Sequence, residues 1–118
     1  MVTTTDTSTN TTYGDLASTS GPVVTTQIGA AAFIAVTCSA FNSGGNASWM
    51  AYDTSGATTI AASDDRSLQF NSASGMRFSA VYMQTGLTPG IHTFSAKYRI
   101  SVGGTSTFSQ RRIGVIPL

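Results

Sequence analysis

The stretch Ile91-His92-Thr93-Phe94-Ser95-Ala96-Lys97-Tyr98-Arg99-Ile100-Ser101, read as one strand, decides the fold of this chain. His92, Phe94, Ala96, Tyr98 and Ile100 fall on one side of an extended strand. Thr93, Ser95, Lys97 and Arg99 fall on the other. A period of two, apolar on one face and polar on the other, marks an antiparallel strand half-buried against a second layer, because successive side chains point to opposite faces. Pro89-Gly90 opens this strand, and Gly103-Gly104 turns it back as a hairpin into Thr105–Ser109. A last segment, Arg111–Ile116, sets Ile113 and Val115 against Arg112 and Ile116 and stops at Pro117.

Working back towards the N-terminus, turn signals recur at the short spacing of sandwiches and barrels: Gly14, Gly21-Pro22, Gly29, Gly44-Gly45, Gly56 and Gly75. Between them lie strand-length segments at Tyr13–Ala17, Val23–Ile28, Ala31–Phe41, Ala47–Asp53, Thr58–Ala62, Ser67–Phe70 and Met76–Gln84. No segment carries a sustained helical stripe. The pattern predicts an all-β protein, a single antiparallel β-sandwich domain over residues 13–118. Residues 1–12, Met-Val-Thr-Thr-Thr-Asp-Thr-Ser-Thr-Asn-Thr-Thr, read as an extended N-terminal arm with little to anchor it to its own core.

Two segments are apolar on both sides. In Ala31–Phe41, Ala32, Ile34, Val36 and Cys38 alternate with Phe33, Ala35 and Thr37; in Ala47–Asp53, Trp49 and Ala51 oppose Met50 and Tyr52. Such a strand is either central to the core or covered on its outer side by another subunit, and a domain this small has one core. The pattern therefore points to an oligomer.

Composition narrows the function classes. Charged residues make up 9% of the 118 residues, and Ser and Thr together about 30%, against about 25% charged residues in ordinary soluble domains. Hydroxyls are buried at a contact more cheaply than ammonium or carboxylate groups, so this surface suits packing against neighbours. Six cations spread along a chain of net charge +1 make no nucleic-acid stripe. The apolar run Ala30–Val36 is too short to span a bilayer. The start of the chain has neither the basic nor the apolar region of a signal peptide, which leads us to expect assembly in a cytoplasm.

Residues able to do chemistry are few. Cys38 is the one cysteine, so packing rather than disulfides must hold the fold. His92 is the one histidine, which excludes a multi-histidine metal site. A Cys38–His92 nucleophilic pair is formally available, yet Cys38 lies in the most apolar strand, where thiols are inert core residues. Asp53 with Asp64 is the nominal glycosidase pair, and Asp64-Asp65-Arg66 reads as a solvated loop. No Asp/Asn ladder suggests calcium and no glycine-rich cradle suggests phosphate. The expectation is a protein that is not an enzyme and carries no cofactor.

The stretch Thr85-Gly86-Leu87-Thr88-Pro89-Gly90-Ile91-His92-Thr93-Phe94-Ser95-Ala96-Lys97-Tyr98-Arg99 and the ending Phe108-Ser109-Gln110-Arg111-Arg112-Ile113-Gly114-Val115-Ile116-Pro117-Leu118 resemble a recurrent module of tailed-bacteriophage virion proteins. Thr11-Thr12-Tyr13-Gly14-Asp15-Leu16-Ala17, Gly21-Pro22-Val23-Val24 and Ala61-Ala62-Ser63-Asp64 are similar to the same module upstream. The resemblance implies a jelly-roll-like sandwich, similar to the trimeric tumour-necrosis-factor-like fold, located on the virion. It implies a homotrimeric capsid decoration protein whose partners are its own copies and the major capsid protein or other virion proteins. The alternative is a domain of a tail fibre or tail tip that contacts host-surface glycan. Under the first reading Val2, Thr3, Thr4, Thr5 and Thr7 form the shell-docking arm. Met50, Tyr52, Tyr82 and Tyr98 are the candidate subunit contact, although the same four side chains suit the sandwich core equally well.

Overall fold

The computed structural model describes residues 1–118. Eight strands form in order: β1 (Asp6–Ser8), β2 (Val23–Ile28), β3 (Ala32–Asn42), β4 (Ser48–Gly56), β5 (Leu68–Phe70), β6 (Met76–Gln84), β7 (Gly90–Ile100) and β8 (Ser106–Pro117). A single 3-10 turn, Asp64–Arg66, lies between β4 and β5. The strands pair antiparallel into two four-stranded sheets, β1-β8-β3-β6 and β2-β7-β4-β5. This is the strand order of a jelly roll, two Greek keys folded over one another. The expected antiparallel β-sandwich is therefore what the chain forms.

The core lies between the sheets. Ile34, Val36, Cys38 and Ala40 of β3 meet Met50 and Tyr52 of β4, and Phe94, Ala96 and Tyr98 of β7 face Phe108 and Ile113 of β8. The alternation read from His92 to Ile100 is reproduced, in a strand that starts and ends one residue before the expected Ile91–Ser101: His92, Phe94, Ala96, Tyr98 and Ile100 are all buried, and Thr93, Ser95, Lys97 and Arg99 are only partly so. Aromatic rings lock the layers, with Tyr98 and Phe108 at 4.8 Å and Phe70 stacked on Phe78 at 5.0 Å between centroids.

Three details depart from the sequence reading. Tyr13–Ala17 and Thr58–Ala62 are not strands, and each contributes one bridging residue, Gly14 to Tyr98 and Ile60 to Thr54. Thr105–Ser109 and Arg111–Ile116 are a single strand broken by a bulge. Thr37 of β3 opposes Arg112, while Ser39 opposes Ser109, so β8 uses one more residue than β3 between these pairs. Gln110 takes up the excess at a φ of 48°, a left-handed conformation uncommon outside glycine. An extra residue reverses facing parity. Phe108 points into the core before the bulge, and Arg111 and Ile113 point in after it.

That reversal puts Arg111 wholly inside. Its Nη1 donates to the Gly21 carbonyl at 3.2 Å and to the Tyr98 hydroxyl at 3.3 Å; its Nη2 donates to the Thr19 hydroxyl at 2.9 Å and to the Thr4 carbonyl at 3.4 Å. No carboxylate touches it. The Thr19 hydroxyl relays the charge by donating to Asp6 Oδ2 at 2.7 Å, and Asp6 also accepts from the backbone N–H groups of Thr7 and Ser18. Burial alone would raise the Asp6 pKa, but these hydrogen bonds together hold it below the usual carboxylate value.

The expected free arm is therefore corrected. Val2 exchanges two backbone hydrogen bonds of 2.9 Å with Arg111, β1 pairs with residues 106–108 of β8, and Asp6 and Ser8 are buried. Too few apolar groups to anchor residues 1–12 was the reason for expecting mobility, and polar anchoring replaces them. The chain then runs on along β7, where Asn10, Gly14 and Pro22 accept from the N–H groups of Ile100, Tyr98 and Ala96. The domain thus includes residues 1–12 rather than starting at 13.

At the opposite end, Asn42 plays a matching part. Its amide donates to the Ser106 hydroxyl at 2.9 Å, and its Oδ1 accepts from the N–H groups of Gly44 and Asn46. Gly104 is needed beside it, because a Cβ there would lie 2.4 Å from Asn42 Oδ1, at a φ of 72°.

Replacing Arg111 with alanine leaves the Thr4 and Gly21 carbonyls and the Tyr98 and Thr19 hydroxyls short of a buried donor. The expected cost is about 3 kcal/mol, read as a fall in Tm of at least about 10 °C. In limited proteolysis, cleavage within residues 1–20 should precede any other. A variant melting like the wild type would show that this guanidinium does not hold the N-terminal segment.

Candidate functional site

The residues able to do chemistry are dispersed. Cys38 faces the core from β3, and burial pushes its thiol up to about 12, far from a reactive thiolate. His92 lies in the other sheet. Its Nδ1 donates to the Gly90 carbonyl at 3.1 Å, which leaves Nε2 to accept from the Thr58 hydroxyl at 3.0 Å. The imidazole is a buried brace between β7 and the loop after β4.

The outer side of the β2-β7-β4-β5 sheet is covered by the chain itself over β4, while Val23 of β2 and Ile91 of β7 stay exposed at 53% and 61%. Trp49 and Ala51 point away from the core, yet Trp49 is only 8% exposed and Ala51 is wholly buried. The Arg99 guanidinium lies 3.8 Å above the Trp49 ring. Arg99 is fixed in turn by Asp64, whose Oδ1 it meets at 2.9 Å and Oδ2 at 2.5 Å, and the Tyr13 hydroxyl donates to the same carboxylate at 2.6 Å. The hydrogen bonds from Arg99, helped by Tyr13, outweigh burial and hold Asp64 below the usual carboxylate pKa. The doubly apolar strand Ala47–Asp53 thus owes its second cover to its own loops, not to another subunit.

Lower on this face Lys97 pairs with Asp15 at 3.0 Å. Asp53 stands beside them with its pKa raised, chiefly by burial, with Lys97 opposing and Asp15 reinforcing. Asp53 and Asp64 are bound into separate arrangements, and the nominal glycosidase pair shares no cleft that the structure forms.

The outer side of the β1-β8-β3-β6 sheet is different. Phe33 of β3 is flanked by Met83 of β6 and Ile116 of β8; the next row is Val81, Ala35 and Gly114. Phe33 is 37% exposed, Met83 47%, Ile116 62% and Val81 66%. The rows beyond are Ser79, Thr37 and Arg112, then Arg77 and Ser39. Of the rest of the chain, the Met1 sulfur reaches its margin, accepting from Arg112 Nε at 3.0 Å, and no carboxylate pairs with Arg77 or Arg112. It is an apolar end joined to a cationic, hydroxyl-rich end. Its outer strand, β6, has one edge on β3 and the other open.

Of the residues expected at a subunit contact, only Tyr82 is reachable. Met50, Tyr52 and Tyr98 belong to the sandwich core, and the structure corrects that expectation. Their strands were read rightly, but strand parity cannot say which parity points inward. Among the expected docking-arm residues, Val2 exchanges backbone hydrogen bonds with Arg111, the Thr4 carbonyl accepts from the Arg111 guanidinium, and Thr7 pairs with Thr107 while its carbonyl accepts from the Ala17 N–H; Thr3 and Thr5 are exposed between them. The surface that sequence reasoning missed is Val81, Met83 and Ile116. Its signal was present in the weak alternation of Met76–Gln84.

No protein-family model matches the chain, and no curated protein matches its sequence. Among solved structures, it is similar to a chain described as "EclA C-terminal domain; sugar-binding protein", at 13% identity and a TM-score of 0.43, over 97% of this chain and 79% of that one. It is also similar to a Paenibacillus sp. cycloisomaltooligosaccharide glucanotransferase complexed with cycloisomaltoheptaose, at 17% identity and a TM-score of 0.37, over 92% of this chain but 17% of that one. Likeness at this level does not bear on what this chain binds.

The Asp64 clamp makes a pH prediction. Its folded pKa lies below the ordinary 3.8, so the stabilisation is present above that value and is lost as pH falls through the folded pKa. Wild-type Trp49 emission should shift to the red in a step below about pH 4. In Asp64→Asn the shift should already be present at neutral pH, with the acid step reduced. Identical emission profiles would show that Arg99 covers Trp49 without Asp64.

Proposed function

We propose that the chain is a non-catalytic structural protein of a bacteriophage particle, a homotrimeric decoration protein that docks on the capsid shell and stabilises it. The observation that carries this reading is the open apolar face of β6, β3 and β8. Phe33, Val81, Met83 and Ile116 form one continuous patch, on a chain whose remaining charges are mostly paired or buried internally. Exposed apolar patches of this kind mark interaction sites, and the end of the face that holds Phe33, Val81, Met83 and Ile116 carries no charge, so it loses little on being covered. The resemblance of residues 85–99 and 108–118 to virion modules names the setting.

Docking is assigned to this face rather than to residues 2–7, since those are bound to their own domain. A shell-bound trimer multiplies a modest contact by three, because once one copy is seated the other two bind at high effective concentration. The glycan-binding alternative would need aromatic rings open to a sugar. Trp49 carries Arg99 and the Tyr13 hydroxyl is tied to Asp64; of the rings left open, Phe33 lies in a row with Met83 and Ile116 and has no polar side chain there to fix sugar hydroxyls, so the decoration reading is preferred.

Purified shells lacking the protein should bind it in a sedimentation assay, and Ile116→Asp should reduce that binding by at least about tenfold while melting like the wild type. Binding to host cells or a glycan array with no binding to shells would favour the tail-fibre reading instead.

A further inference from the structure

The cationic end of the open face carries charge that the rest of the molecule does not answer. Of the six lysine and arginine side chains, Arg66, Lys97 and Arg99 each meet a carboxylate, and Arg111 is buried among carbonyls and hydroxyls. Arg77 and Arg112 remain. Neither touches a carboxylate, and β3, β6 and β8 contain no acidic residue.

Both stand on the outer face, on opposite flanks of β3. Arg112 is paired with Thr37 and Arg77 with Ser39. Their Cα atoms therefore lie roughly 12 Å apart, two strand spacings across and one side-chain repeat along. Arg77 leans into this gap. Its Nη2 donates to Gln110 Oε1 on β8, which carries its guanidinium across β3 towards the strand of Arg112. Gln110 Oε1 also accepts from the Ser39 hydroxyl at 3.4 Å, which holds the amide over the middle strand. Arg112 gives its Nε to the Met1 sulfur, and a thioether is a weak acceptor that a carboxylate readily replaces. Two like charges thus face one another over Thr37 and Ser39, and the chain supplies no carboxylate to separate them.

Docking on this face cannot leave them aside. A stable contact buries about 800 Å² on each partner. The row of Phe33, Met83 and Ile116 lies only about 13 Å along the strands from the row of Ser79, Thr37 and Arg112. A partner seated on the apolar end therefore extends over both guanidiniums, and covering them without a counter-charge opposes docking strongly.

We infer that the protein segment laid on this face carries a carboxylate, from Asp or Glu, that seats over Thr37 between Arg77 and Arg112, about 13 Å from the apolar side chains that cover Phe33 and Ile116. This rests on the docking face proposed above and names the chemistry of its occupant. A carboxylate accepts two parallel hydrogen bonds from a guanidinium, and Gln110 orders Arg77 before the partner arrives. A phosphate backbone fits less well. Two phosphate contacts give little affinity, and the adjoining apolar row would have nothing to meet.

The test pairs shell binding with anion binding by the free chain. Arg77→Gln/Arg112→Gln should melt like the wild type and bind purified shells at least about tenfold more weakly. Raising salt from about 50 to 500 mM should weaken wild-type binding and hardly change that of the double glutamine variant, whereas Arg77→Lys/Arg112→Lys should keep the salt dependence. In the second arm, citrate added to the free chain at constant ionic strength should move the backbone NMR signals of Thr37, Ser39 and Ser79, and should not do so in the double glutamine variant. Shell binding indifferent to salt and to both glutamines, or citrate shifts that are absent or persist in the variant, would overturn the inference. Shifts of these signals with short duplex DNA and not with citrate would make the occupant a nucleic acid and overturn it too. Shells that bind no wild-type protein would instead sink the decoration reading, and the citrate arm then decides the carboxylate site by itself.

Discussion

Arg111 stands where the two halves of the molecule are joined, and it does so as a buried cation with no carboxylate in contact. Moving a guanidinium out of water is costly, and the cost is met here by two carbonyls, two hydroxyls and the face of Tyr98. Because these acceptors come from Thr4, Thr19, Gly21 and Tyr98, satisfying the charge requires the N-terminal segment to be folded onto the sandwich. The bulge at Gln110 makes the arrangement possible by turning Arg111 inward. A strained backbone position, a buried cation and a docked N-terminus thus form one linked feature.

The two outer faces then follow from where the loops go. The segment after β1 and the loop before β5 cross the sheet built on β7 and β4, and they bring Tyr13 and Asp64 over Trp49 through Arg99. Nothing comparable crosses the other sheet, because β3, β6 and β8 are joined to the rest at their ends. One side of the sandwich has consumed its aromatic and charged residues internally. The other keeps apolar side chains in water and two guanidiniums without a carboxylate. Such asymmetry fits a protein that meets partners from one side.

The strands were legible wherever alternation was strong. The strand read over Ile91–Ser101 forms as Gly90–Ile100, one residue earlier at each end, and Val23–Ile28 and Met76–Gln84 coincide with β2 and β6. Tyr13–Ala17 and Thr58–Ala62 misled because Tyr13, Thr58, Thr59 and Ile60 suit extended backbone without requiring a partner strand. The break at Gln110 was visible as two segments, but nothing in the letters says that a strand continues through a left-handed residue. The anchoring of residues 1–12 was hidden for a physical reason: it rests on backbone bonds and one buried arginine, neither of which leaves a hydrophobic period. Similarly, parity placed Met50, Tyr52 and Tyr98 on shared faces, while the direction of those faces depends on the opposite sheet.

A chain of 118 residues buries about two thirds of its unfolded surface, so its stability has little surplus to set against an exposed apolar patch. Leaving Val81, Met83 and Ile116 in water gains nothing for the lone domain, and an unprotected β6 beside them invites unwanted pairing. Protection would have been simple, since one lysine in place of Val81 adds an edge charge without touching the core. The coincidence of the patch and the bare edge on one side of the sandwich is therefore better understood as one surface with one use than as two separate lapses. Covering it removes both hazards together. The apolar end agrees, because methyls can be covered there without stranding an ion, while Arg77 and Arg112 stand at the other end of the face. In this protein the fold is complete within the single chain, and the apolar patch of Val81, Met83 and Ile116 lies together with the end of the β6 edge on one side of it.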